Sequence, residues 1–154
     1  QDLGISARRA QEYIDKYFEA YSNVKEYMNL NVQTAVRDGY VTTLLGRKRV
    51  INEIKSTNHN LRAFGERAAM NMPLQGSSAD IIKISMINTV KKLKEGGYKA
   101  KLVLQVHDEL VIDCPIEESE RVQMLLKTEM ENAVRLSIPL TVEDGVCANW
   151  YERK

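Results

Sequence analysis

The chain has 154 residues, 44% of them apolar and 28% charged, with a formal net charge of +1. That is the profile of a soluble globular domain with a real core. No apolar run approaches the roughly 20 residues of a membrane span, and the opening QDLGISARRAQEY lacks an apolar signal core, so neither a membrane nor secretion is expected. The balance is uneven along the chain: residues 33–101 carry 13 Lys or Arg against 5 Asp or Glu, and residues 102–154 carry 5 against 11. Two readings fit: a surface for a polyanion beside gathered carboxylates, or mixed solvated helix faces.

Ser6 is placed to cap a helix through ARRAQEYIDKYFEAY, where Tyr13, Tyr17 and Tyr21 recur every fourth residue beside Ile14 and Phe18. The tyrosines could stack on bases, but this spacing favours a core face. A second helical run passes through Val24, Tyr27, Met28, Val32 and Ala35, and Gly39 ends it. YVTTLLGRKRVI then predicts a short hairpin with Arg47, Lys48 and Arg49 at its turn, either solubilising or set to meet phosphates.

From about Asn58 the pattern is helical again, with Pro73 and Gly76 predicting a kink or break and Ser77 with Asp80 resembling a capping box beyond it. Gly96 and Gly97 close that segment. Residues 101–114 predict a hairpin whose strands, LVLQV and LVID, are apolar at nearly every position, as in strands covered on both faces. Pro115 and the acids after it open a helix burying Val122, Leu125, Leu126, Met130, Ala133 and Val134. Pro139 stops it, and LTVEDGVCANW predicts a final strand. The expected class is α+β, a small antiparallel sheet with packed helices. Cys114 and Cys147, without CxxC spacing, are expected to be reduced thiols in a cytoplasmic protein.

Two features could carry chemistry. The hairpin tip holds His107, Asp108 and Glu109 where Gly or Asn would ordinarily sit. Adjacent carboxylates repel, and Mg²⁺ would turn that repulsion into binding, though a solvated charged loop is the commoner source of such a tripeptide taken alone. In GERAAMNMPLQGSS, Arg67, Asn71 and Gln75 are spaced i, i+4, i+8 and form one polar stripe. Such a stripe suits the acceptors of the DNA minor groove, and an ordinary solvent face is the alternative.

RAAMNMPLQGSSADIIK followed by QVHDELV resembles the C-terminal part of a family A DNA polymerase, of the bacterial DNA polymerase I type. GYVTTLLGRKR and Trp150 extend the resemblance over essentially the whole chain. It implies template-directed nucleotidyl transfer from deoxynucleoside triphosphates to a primer 3′-hydroxyl, with primer–template DNA and the rest of a polymerase chain as partners. The implied fold is a partial polymerase domain: residues 1–100 with helices and basic hairpin from the fingers, and residues 101–154 with the motif C hairpin, a helix and a terminal strand of the palm. Asp108 would be a catalytic Mg²⁺ ligand, and Glu109 a supporting carboxylate. His107 would contact the primer end, with Arg67, Asn71 and Gln75 against the duplex. The second Asp of a two-metal site belongs to a DYSQIELR-like segment, and none is present; nor is any Arg followed by Lys four positions later, as the family's nucleotide-binding helix requires. The chain is therefore expected to be a piece of a polymerase, inactive alone. Three other readings stay open: a non-catalytic DNA-binding module, a phage-type RNA polymerase fragment, and a phosphohydrolase using His107 and Asp108.

Overall fold

The computed structural model describes residues 4–152 and forms two units, residues 1–76 and residues 77–154. In the first unit, α1 (Ala7–Ala20) begins at Ser6, whose Oγ accepts a hydrogen bond from the Arg9 amide at 3.3 Å. α2 (Ser22–Asp38) ends at Gly39, which adopts φ +80° as the left-handed cap the sequence predicts. The tyrosine face of α1 differs from expectation. Tyr13, Tyr17 and Tyr21 are each at least half exposed, and α1 buries no residue. Tyr17 instead rests on its helical neighbours Phe18 and Tyr21, with ring centroids 5.4 and 5.0 Å away. Periodicity marks a face able to be buried, and no described element covers this one.

β1 (Tyr40–Thr42) pairs antiparallel with β2 (Lys48–Val50). Gly46, at φ +82°, completes the connection after Leu44 and Leu45. Its amide donates to the Thr43 carbonyl, a Gly-terminated three-residue loop. Thr43 locks the turn by accepting the Arg47 amide on its Oγ1 at 3.0 Å. Val41, Ile51 and Ile54 join Ala35, Ala69 and Met72 in the core of this unit.

α3 (His59–Glu95) begins where Asn58 accepts the Asn60 amide at 2.9 Å, and it contains Pro73 without a break. The predicted interruption is thus absent, and Ser77 and Asp80 lie inside the helix rather than capping a new one. Close packing explains both glycines. A Cβ on Gly65 would stand 2.8 Å from the Ile54 nitrogen, and one on Gly76 would stand 2.6 Å from Thr43 Cγ2. The glycines admit neighbouring backbone and side chain, and burial of Met72 and Pro73 offsets the rung that proline deletes.

In the second unit α3 closes at Gly97, φ +66°, with the Tyr98 amide donating to the Leu93 carbonyl. β3 (Lys101–Val106) and β4 (Glu109–Asp113) form an antiparallel hairpin with Val103 as an extra, bulged residue between the pairs Leu102↔Ile112 and Leu104↔Val111. The expectation of strands covered on both faces fails for β3: Val103 and Leu104 are 51% and 46% exposed, so packing does not cover the strand along its length. Leu93, Ala100 and Val122 make this unit's small core, with Ile112 and Leu125 against them. Glu118 fixes the start of β3, its carboxylate accepting the Lys99 and Ala100 amides at 3.0 and 3.2 Å.

α4 (Ser119–Glu131) follows a 3-10 turn at Ile116–Glu118 and ends before Ala133 and Val134, which the sequence had placed on it. LTVEDGVCANW forms no strand among the described residues. Side chains of α4 hold it instead. Asp144 accepts from Gln123 Nε2 at 2.6 Å and Lys127 Nζ at 2.7 Å, while Glu131 accepts the Val142 amide at 3.1 Å. The Asp144 carboxylate raises the Lys127 ammonium above the ordinary lysine value. The class is α+β, built on two separate two-stranded ladders. Among the described residues no helix is long and apolar enough to cross a membrane.

Candidate active site and nucleic-acid interface

In the second unit the register pairs Val106 with Glu109, so only His107 and Asp108 form the turn. The sequence had given the tip three residues; Glu109 is in fact the first residue of β4. His107 takes φ +53°, making it the one non-glycine residue with positive φ among those described. A two-residue hairpin loop demands this at its first position to match the strand twist. Histidine adopts it more readily than most residues, although the left-handed region costs a non-glycine residue about 1–2 kcal/mol. The carbonyl of His107 accepts a 2.6 Å hydrogen bond from Gln105 Nε2.

His107 and Asp108 are exposed and Glu109 is half-buried. Asp108 and Glu109 line an open cavity of about 1110 Å³ whose walls include Ile81, Val111, Val122 and Leu126. Carboxylate oxygens on a short, ladder-held turn are the donor chemistry of a hard divalent cation. No group of three or more His, Cys, Asp or Glu side chains able to hold a metal occurs among the described residues. A cation seated at the tip would therefore take at most one or two of its oxygens here and the rest from elsewhere. Cys114, near the foot of β4, is a poor nucleophile: burial, then Glu118, Asp113 and Glu117, push its thiol above the ordinary value.

In the first unit Arg67, Asn71 and Gln75 are exposed on α3, while Gly65, Ala69, Met72 and Pro73 are buried. The i, i+4, i+8 stripe therefore exists as an outward ridge with Leu74, 64% exposed, beside it. The basic hairpin reaches the same helix, for Arg47 Nη2 donates to the Gly76 carbonyl at 2.9 Å. Lys48 and Arg49 lie in β2, with Lys48 Nζ 4.4 Å from the Tyr40 ring centroid. His59, the other histidine, starts α3 and is exposed.

Sequence reasoning passed over Gln105 and Glu118. Gln105 did leave a signal, as the single polar residue in LVLQV; Glu118 left none, since a helix-opening acid looks the same whatever it binds.

The family described as DNA polymerase family A matches residues 1–152. DNA polymerase I of Caldicellulosiruptor bescii is 54% identical over 154 residues, all of this chain and 18% of the relative. The Bacillus subtilis and Bacillus caldotenax DNA polymerases I are 49% and 50% identical over the same span, again 18% of each. Among solved structures, the POL domain of Pol1 from M. smegmatis, in complex with DNA primer-template and dNTP, superposes with a TM-score of 0.91 at 41% identity. That match covers 94% of this chain and 26% of that one. The chain spans under a fifth of the curated relatives' length, and it belongs to DNA polymerase family A.

Proposed function

We propose that residues 1–154 act within a longer DNA-directed DNA polymerase, supplying part of its catalytic centre and part of its grip on primer–template DNA. The reaction is nucleotidyl transfer: the primer 3′-hydroxyl attacks the α-phosphate of a deoxynucleoside triphosphate and pyrophosphate leaves. The observation that carries this reading is an exposed Asp108 on a two-residue turn, in a chain matched by the family over residues 1–152.

Asp108 and, less directly, Glu109 would hold Mg²⁺, which when bound makes the primer hydroxyl a better nucleophile and offsets phosphate charge. Their hard oxygens suit that ion, and Mg²⁺ ordinarily takes one or two carboxylates together with substrate phosphate oxygens. A second aspartate would come from outside residues 1–154. His107, beside the carboxylate on the same turn, would hold the primer end in place. Arg67, Asn71 and Gln75 would donate to the minor-groove acceptors, purine N3 and pyrimidine O2, which every correct base pair presents. These contacts sense pair geometry without reading sequence. Arg47, Lys48 and Arg49 would meet backbone phosphates.

The test is Asp108→Ala in the complete polymerase. Metal stabilisation of the transition state is worth several kcal/mol, so single-turnover incorporation should fall about a thousandfold or more while the primer–template Kd holds. Near-normal turnover would remove the assignment.

A further inference from the structure

The geometry points to Gln105 as a positioning residue for Asp108, a role that rests on reading the tip as the polymerase metal seat. Three observations converge on it. The tip is a two-residue loop, so Asp108 is tied to the ladder through His107 on one side and directly through Glu109 on the other. His107 stands at φ +53°, a conformation that costs even a histidine energy and that surrounding contacts help to hold. The support present is the 2.6 Å hydrogen bond from Gln105 Nε2 to the His107 carbonyl.

That carbonyl lies in the peptide plane joining His107 to Asp108. Peptide planes are rigid, so fixing the carbonyl direction also fixes the Asp108 nitrogen and Cα, the pivot from which the Asp108 side chain leaves the backbone. Gln105 lies near the end of β3, two residues before His107 of the turn, and its side-chain amide reaches forward to the His107 carbonyl. Its own backbone pairs with Leu110 in the ladder, which anchors the amide to the rigid part of the hairpin. An apolar residue there would fit the rest of LVLQV better and would leave the turn untied. Gln105 therefore acts through the backbone and need not touch DNA or nucleotide.

The role is tested in the complete polymerase by a double-mutant cycle between Gln105→Ala and His107→Gly, with Asp108→Ala as a parallel control. A misplaced reacting group costs about tenfold to a hundredfold, so Gln105→Ala should lower kcat by about tenfold while KM for the nucleotide and the primer–template Kd stay within about twofold. Glycine takes positive φ freely and is the preferred first residue of such a loop. In the His107→Gly background, itself weakened by loss of the imidazole, adding Gln105→Ala should therefore change kcat by less than about twofold. Equal losses in both backgrounds, a rise in Kd at constant kcat, or unchanged kcat in Gln105→Ala would each overturn the inference. The control separates the two levels. Should Asp108→Ala stay active, the metal seat itself is wrong; should it be dead while Gln105→Ala is unimpaired, only the tether is wrong.

Discussion

Replacing Gly76 by alanine pits two effects of opposite sign against each other. In the middle of α3 the change should help, because alanine is favoured over glycine in a helix by about 1 kcal/mol. The new Cβ, however, would lie 2.6 Å from Thr43 Cγ2 and 3.2 Å from Met72 Cε. Carbon pairs are comfortable at about 3.5–4.0 Å, so Thr43 must retreat by about 1 Å. It is badly placed to do so. Thr43 is 4% exposed, its Oγ1 accepts the Arg47 amide at 3.0 Å, and its backbone closes the hairpin loop. Overpacking of this kind costs about 1–3 kcal/mol, which outweighs the helix gain and leaves Gly76→Ala about 1 kcal/mol destabilised. Thr43→Ser keeps the hydroxyl and deletes the offending methyl, at about 0.8 kcal/mol. In that background Met72, whose terminal methyl is flexible, can yield, and Gly76→Ala should become stabilising by about 1 kcal/mol. The cycle thus predicts a coupling of about 2 kcal/mol, read from urea midpoints of the four chains by circular dichroism. Additivity within about 0.3 kcal/mol, or stabilisation by Gly76→Ala in the wild-type background, would refute the close approach.

Arg67→Ala and Gln75→Ala should weaken primer–template binding by the complete polymerase, Arg67 by about 1.5–3 kcal/mol because its hydrogen bonds are charged, and both should blunt discrimination against mismatched primer ends; equal affinities would remove the ridge from the interface. Alkylation of the native chain should modify exposed Cys147 well before Cys114, whose thiol is held above its ordinary value by burial and by Glu118, Asp113 and Glu117; mass spectrometry of the labelled peptides reads the order. Because Asp144 raises the Lys127 ammonium, their pairing stabilises the fold fully below the ordinary lysine value and is lost as pH rises through the raised one. Lys127→Met should therefore lower the unfolding midpoint at neutral pH, and the difference from wild type should vanish at strongly alkaline pH.

Features decided by a few adjacent residues were legible in the sequence. Ser6, Gly39 and Gly97 do what their local chemistry requires, and both hairpins form where their strand-forming runs place them, the first with Gly46 at its turn. What escaped depends on partners distant in the chain. Pro73 looks like a break until Gly65 and Gly76 are seen admitting Ile54 and Thr43, a packing gain that overrides propensity. The alternation in LTVEDGVCANW suggests a strand, yet Gln123, Lys127 and Glu131 hold that segment through side chains. The tyrosines of α1 have the spacing of a buried face, and spacing alone cannot say what covers it. Within each unit, the acidic tip in one and the Arg67–Asn71–Gln75 ridge in the other were readable from residue type and period. The Gln105 tether was not, since it depends on the φ of His107.

A divalent cation seated at Asp108 is the centre of the proposed chemistry. Loading the complete polymerase, with primer–template and nucleotide, with Fe²⁺ in place of Mg²⁺ and triggering oxidative backbone scission reports where the ion sits. Cuts should fall at residues 107–109, disappear as Mg²⁺ is added, and be absent from Asp108→Asn. Scission confined to other segments, or an unchanged pattern in Asp108→Asn, would contradict it.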